Sequence, residues 1–384
     1  MQNTFLSGIE NFLCTSRRSD HEKIGLIAHP ASVCRDGVHA SQKLWNHSSI
    51  QLTCLLGPEH GFLGEGVAGE TISDLRHPEW NIPIYSLYGE TRKPTEEMLE
   101  DVDTLIFDLQ DIGIRCYTYL GTLLNAMEAC AHYNKALIIT DRPIPLPNVI
   151  DGPLLHPDFT SVVGPAPVPL VYGMTPGEMA LWLKENYALD VDLHVEKMTG
   201  YHRDNPPSPK PWTPPSPGIR SWESAMCYPI TVFSEALPII DCWRRGAAPF
   251  QVIGTPWLKS EDICEALARA KLSGISFSRF QYEAIGPPYE GEMLNSIRIN
   301  VTNATSYRPV NVAIHLLSIL QTVYGTETLW TFPNTKEDFF DKLMGTDTVR
   351  KGLQENRSPE DIVESWNEEL TRFVETRELH LLYA

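Results

Sequence analysis

Three consecutive stretches decide the fold: Thr104-Leu-Ile-Phe-Asp-Leu-Gln-Asp-Ile-Gly113, the run Tyr117–Asn134, and Ala136-Leu-Ile-Ile-Thr-Asp-Arg-Pro143. The first and third are short apolar runs stopped by polar and turn residues, the signature of a strand buried on both faces. The middle one places Leu120, Leu123, Leu124, Met127 and Cys130 at helical spacing. Strand, helix and strand in this order make a right-handed βαβ unit. The same texture recurs upstream. Ile24–Ala28 ends at His29-Pro30, and Ile50–Leu56 ends in Gly57-Pro-Glu-His-Gly61. Pro94-Thr-Glu-Glu97 opens a helix closing at Met98–Val102, with Thr95 as its N-cap. Thr175-Pro-Gly-Glu178 opens another over Gly177–Asn186. The expected class is therefore α/β with a parallel sheet.

Further along, the texture changes. Pro143–Pro169 and Asn205–Pro217 are proline-rich and predict ordered loops or polyproline-like chain. Beyond Gly246, helices are expected over Ser260–Ala270, Val310–Val323, Lys336–Met344 and Pro359–Glu378, and strands over Ile275–Phe280 and Ser296–Val301. This divides the 384 residues into a sheet domain, 1–245, and a smaller α+β domain, 246–384.

Composition excludes several classes. With 31 Lys and Arg against 49 Asp and Glu, the net charge is −18, which disfavours nucleic acid and anionic membranes as partners. No apolar run approaches the ~18 residues of a membrane span. Met1–Arg18 has no basic-then-apolar leader pattern, so a cytoplasmic location is expected. The eight cysteines form no C-x-x-C pair and read as reduced, buried thiols. Oligomeric state is not legible.

Chemistry is expected at the strand ends, because ligands of open parallel sheets bind beyond the carboxyl ends of the strands. Four expected strands end in reactive side chains: His29; Glu59 and His60; Asp108, Gln110 and Asp111; Asp141 and Arg142. Glu59 lies between Pro58 and His60-Gly61, a tight turn suited to aiming a carboxyl group into a cleft as a general acid. Glu70, after the glycine-rich loop Gly61–Gly69, can supply a second carboxyl. Tyr117 and Tyr119 suit a polar ring. Arg92 or Arg142 suits a substrate carboxylate. The loop matches neither G-x-G-x-x-G nor the P-loop, and no G-x-S-x-G elbow occurs. No H-x-H or H-E-x-x-H spacing accompanies the acids. No cofactor and no metal are expected.

Gly57-Pro-Glu-His-Gly-Phe62, Ala68-Gly-Glu70, Tyr85-Ser-Leu-Tyr-Gly89, Arg92-Lys-Pro-Thr95, Phe107-Asp-Leu-Gln-Asp-Ile-Gly113, Tyr117-Thr-Tyr119, Asp141-Arg-Pro143, Gly173-Met-Thr175 and Phe340–Asp347 together resemble one bacterial family. It is the NamZ-type exo-β-N-acetylmuramidase family, and the resemblance runs from about Gly25 to Leu382. It implies a Rossmann-like domain, a smaller C-terminal domain, and a site in the cleft between them. It implies removal of terminal N-acetylmuramic acid from the non-reducing end of peptidoglycan fragments, a small-molecule sugar or muropeptide being the partner. Glu59 matches the family's acid/base glutamate, and Glu70 the next glutamate along. A carboxyl separation of ~5 Å would imply retention and ~6.5–9.5 Å inversion. The chain departs from the family pattern at Phe233–Gly246, where Glu235 and an Arg–Gly are retained, and at Ile144 and Tyr289–Ser296. A non-catalytic binder of an acidic sugar is the alternative these departures favour. A metal-dependent hydrolase using His29, His60, Asp108 and Asp111 is a third.

Overall fold

The computed structural model describes residues 5–15, 22–64, 66, 72–206 and 212–384. Its main sheet is formed by β1 (Glu22–Ala28), β2 (Ile50–Gly57), β3 (Leu75–Arg76), β4 (Pro83–Ser86), β5 (Thr104–Asp108), β6 (Ala136–Thr140) and β9 (Asp192–Glu196). A small hairpin of β7 (Asp151–Leu154) and β8 (Pro169–Val171) lies between β6 and β9 in sequence. The seven strands run in the order β3-β4-β2-β1-β5-β6-β9, all parallel except β3. The chain winds outward from β1 through β2 to β4, returns to the centre, and winds the other way through β5, β6 and β9. The direction of winding reverses between β1 and β5. This is the doubly wound, Rossmann-like arrangement, whose reversal point is the usual ligand crevice.

The parallel strands are apolar on both sides because helices cover both faces. In β5 the alternation is explicit: Ile106 packs with Leu26, Leu55 and Ile138 on one face, and Leu105 and Phe107 with Leu56, Leu137 and Ile139 on the other. Each such fully buried aliphatic side chain contributes about 1.5–3 kcal/mol. The second cluster continues without a break into the C-terminal part, where it includes Ile297 and Leu316.

That C-terminal part is α+β. Its antiparallel sheet has the order β10-β12-β11, from β10 (Val252–Thr255), β11 (Ile275–Glu283) and β12 (Met293–Val301). Helices Trp222–Thr231 and Ser260–Arg269 pack between β12 and the central helix Pro309–Tyr324.

Most expected elements are present within a residue or two. Helix Tyr119–Tyr133 ends at Asn134, whose φ of 52° is the left-handed cap expected where a helix stops sharply. Thr175 and Glu178 form a reciprocal capping box on helix Pro176–Asn186. Several details differ. Both C-terminal strands run three residues beyond expectation, as Ile275–Glu283 and Met293–Val301. The helix after Thr95 ends at Leu99 and does not reach Val102. Pro359–Glu378 is two helices, broken at Ser365–Trp366. The proline-rich stretch Pro143–Pro169 is not all loop, since it carries β7 and the start of β8. Among the described residues, no helix is long and apolar enough to cross a membrane.

Candidate active site

Glu59 leaves the end of β2 on the turn Pro58–Gly61, closed by a hydrogen bond from Gly61 N–H to the Pro58 carbonyl at 2.8 Å. His60 is held there at φ 70°, a costly conformation for a non-glycine residue that persists only where surroundings enforce it. Part of that enforcement comes from its own ring, whose Nδ1 lies 3.0 Å from the Gly66 carbonyl. The result is a half-buried Glu59 carboxylate, with Oε2 accepting a hydrogen bond from Thr118 Oγ1 at 2.7 Å. Tyr88, beyond β4, turns its phenol toward Glu59. Burial pushes the Tyr88 hydroxyl up in pKa, and the Glu59 charge adds to this. The Arg92 guanidinium lies 4.8 Å above the Tyr88 ring.

From the other side of the sequence comes Glu235, at the end of the 3-10 turn Val232–Glu235. Burial raises its carboxyl pKa, the Arg244 guanidinium at 3.2 Å lowers it, and the Glu59 charge raises it again. The Glu59 charge is thus felt at Glu235. A pair of carboxyl groups is what acid/base work on a glycosidic bond requires.

Beside Glu59 opens a cavity of about 270 Å³, with Tyr88, Arg92, Thr118, Asn125, Thr160 and Ser161 among its walls. Its volume lies just under the usual range of ligand pockets, about 300–1,000 Å³. A cavity of about 610 Å³, with Trp182, Trp366 and Arg372 in its lining, shares no residue with it.

The other expected residues also gather at the strand ends, but most spend their polar atoms on the protein. Asp108 and Arg142 form a buried two-pronged pair, with Arg142 Nε to Asp108 Oδ1 at 2.8 Å and Nη2 to Oδ2 at 2.7 Å. Asp141 accepts from Thr175 Oγ1 at 2.7 Å, from Gly177 N–H at 2.8 Å and from Tyr383 Oη at 2.6 Å, tying the chain's last turn to the sheet. Its burial pushes the carboxyl up to about 7. Gln110 donates to the Pro143 carbonyl at 2.7 Å and to the Asp111 carbonyl at 2.9 Å.

His29, 1% exposed, fills the reversal point between β1 and β5. Its Nε2 accepts from Gln110 N–H at 2.9 Å, which assigns the ring proton to Nδ1, facing Tyr119 Oη at 3.1 Å and the Pro215 carbonyl at 3.2 Å. Burial, then the Arg142 charge, holds its pKa well below the imidazole range. Asp111, raised to about 6 by burial, takes backbone N–H bonds from Ile112 and Gly113. Tyr117 is packed edge-on against Tyr119 and has a buried hydroxyl with no hydrogen bond of good geometry, although Ser216 and Tyr119 lie near it. Glu70 lies outside the described residues. Among the described residues, no three His, Cys, Asp or Glu groups assemble as a metal site.

Three contributors were not singled out from sequence. Thr118 reads as an ordinary helix cap. Arg244 sits in the segment that departs from the family pattern. Tyr228, stacked edge-on with Tyr117, reads as core of a helix. Only the aromatic pair flanking Thr118 gave a signal.

Comparison with known proteins identifies the family. The family model described as exo-beta-N-acetylmuramidase NamZ, N-terminal, matches residues 24–223, and its C-terminal counterpart matches 226–383. The chain is 34% identical over 365 residues to the peptidoglycan beta-N-acetylmuramidase NamZ of Bacillus subtilis (strain 168), covering 94% of this chain and 87% of that protein. Two crystal structures of DUF1343 family proteins from Bacteroides fragilis NCTC 9343 superpose with TM-scores of 0.90 and 0.79, at 29% and 26% identity, each over 99% of both chains. On the two family models and the Bacillus relative together, the chain belongs to the NamZ exo-β-N-acetylmuramidase family of peptidoglycan glycosidases.

Proposed function

We propose that this protein is a catalytically competent exo-glycosidase that removes N-acetylmuramic acid from the non-reducing end of peptidoglycan fragments. The observation that carries the reading is the pair of partnered carboxyls, Glu59 held by Thr118 Oγ1 at 2.7 Å and Glu235 by Arg244 at 3.2 Å. Glu59 is the acid/base: its proton passes to the glycosidic oxygen as the C1–O bond breaks, and the leaving sugar departs as an alcohol. Glu235 is the paired carboxyl, whose ionised form the Arg244 guanidinium at 3.2 Å favours against burial, and it faces the positive charge that develops at C1. Water then adds at C1 as the deprotonated Glu59 takes its proton, which restores the acid form. Arg92, in the lining of the small cavity beside Glu59, takes the lactyl carboxylate that distinguishes muramic acid from other amino sugars. Tyr88 and Thr118 close the polar wall.

The test is mass spectrometry of the products from defined disaccharide fragments carrying N-acetylmuramic acid at the non-reducing end. Free N-acetylmuramic acid and a shortened acceptor are expected. Binding of the fragment without any released sugar would replace the enzyme with the non-catalytic binder that the divergent segment Phe233–Gly246 otherwise suggests.

A further inference from the structure

The segment Asp241–Gly246 brings Arg244 to Glu235, and its conformation is built from contacts outside the pair. Asp241 is anchored to β10 by reciprocal backbone bonds with Gly254 at 3.0 and 2.9 Å. Its Oδ1 accepts from the N–H of Trp243 at 2.7 Å and from Tyr282 Oη, on β11, at 2.6 Å. Trp243 has φ 51°, a region that a bulky side chain occupies only under constraint. The constraint is visible: its ring stacks on Tyr282 at 4.8 Å and 29°, and Gly246 N–H closes back on its carbonyl at 2.8 Å. Arg220 Nη1 holds the far end through the Gly246 carbonyl at 3.0 Å. Arg244 sits between these anchors, with 47% of its side chain exposed. A β-carbon on Gly254 would lie 2.6 Å from Tyr282 Oη, so this glycine leaves the space the phenol occupies.

We propose that Tyr282 is a positioning residue: through Asp241 and Trp243 it fixes the turn that sets Arg244 against Glu235, and so sets the charge state of the second carboxyl. This goes beyond the proposed glycosidase reading and rests on it only for its catalytic consequence. The groups facing Glu235 are Arg244 and Cys242 from the turn, Glu59 from the loop after β2, Cys116 from the loop after β5, and Tyr228 from helix Trp222–Thr231. Burial pushes Cys116 and Cys242 up to about 12 and raises Tyr228 well above its ordinary value, so these three stay neutral at ordinary pH. Among the described residues, Arg244 and Glu59 are the charges that tune the buried carboxyl, and they pull in opposite directions. Loosening the turn weakens the Arg244 contribution and raises the Glu235 midpoint.

The experiment is a carboxyl-carbon NMR titration of the full chain labelled on glutamate, with the Glu235 signal assigned by its loss in Glu235→Gln. Tyr282→Phe keeps the stacking ring and deletes the hydroxyl; Gly254→Ala displaces the same hydroxyl by crowding. Both are expected to raise the Glu235 midpoint by about one pH unit. Tyr324→Phe, which deletes a hydroxyl bonded to Lys259 N–H away from the site, is expected to leave it unchanged. Where turnover is measured, the matching limb of the kcat/KM profile moves with it. An unshifted Glu235 signal in whichever of the two variants folds, while Arg244→Gln shifts it, would overturn the proposal. No substrate is needed for the titration, so a chain that hydrolyses nothing would overturn the proposed function and still leave this inference decided.

Discussion

Thr118 occupies the N-cap of helix Tyr119–Tyr133, yet its hydroxyl makes no bond to that helix and donates instead to Glu59 Oε2 at 2.7 Å. A capping threonine normally satisfies one of the helix's free N–H groups. Here the hydroxyl is diverted from helix stability to the carboxylate. Thr118→Val should therefore leave the melting temperature within a few degrees of wild type, because no capping bond is lost. Sugar release should fall about tenfold, the consequence of a less well oriented acid. Parallel thermal melts and initial rates check both halves.

Asp108 and Arg142 are buried together, and neither has water to fall back on. Removing one partner leaves an uncompensated buried charge, a loss of about 3–5 kcal/mol. Arg142→Met is expected to lose that much in urea unfolding. The double variant Asp108→Asn/Arg142→Met should recover part of it, because the stranded carboxylate is gone.

His29 predicts a definite pH dependence. Its folded pKa is held well below the ordinary imidazole value by burial and by Arg142. Above about pH 6.5 the ring is neutral in both states and contributes no slope. Below it, the unfolded chain binds a proton that the folded chain refuses, so stability is lost as pH falls. By pH 5 the wild type should have lost about 2 kcal/mol relative to its value at pH 7, beyond whatever His29→Gln loses over the same range. Denaturant midpoints of the two proteins across that range test this.

Arg92 carries the expected selectivity. A charge-assisted bond to a carboxylate is worth about 1.5–3 kcal/mol. Arg92→Gln should raise KM at least about tenfold for an N-acetylmuramic acid glycoside. The residual rate on the corresponding N-acetylglucosamine glycoside, which has no lactyl carboxylate, should be unchanged. Steady-state kinetics on the two substrates separate this from a general loss of activity.

The inner strands were legible because they are continuous apolar runs: β1, β2, β5 and β6 all lie where hydrophobic pattern places them. β4 is four residues beginning with Pro83, and β9 is the polar edge strand Asp-Leu-His-Val-Glu196, so neither shows a buried run. The site was legible in part for the same reason. Reactive residues at strand ends converge because a parallel sheet makes them converge. Pattern does not show which of them spend their polar atoms on the protein: Asp108 on Arg142, Asp141 on the helix start at Thr175, His29 on Gln110. Nor does pattern bring Glu235 beside Glu59 across so long a separation in sequence. Only the family resemblance marked Glu235, and Arg244 lies where that resemblance is weakest.

The most direct measurement is the rate of release from a chromogenic β-glycoside of N-acetylmuramic acid, by wild type and by Glu59→Gln. Release by the wild type, lowered about a hundredfold or more in a variant that melts at the same temperature and still binds the sugar, is the predicted result. Equal release by the two proteins would remove Glu59 from the chemistry. Sugar binding without release by either would contradict the account as a whole.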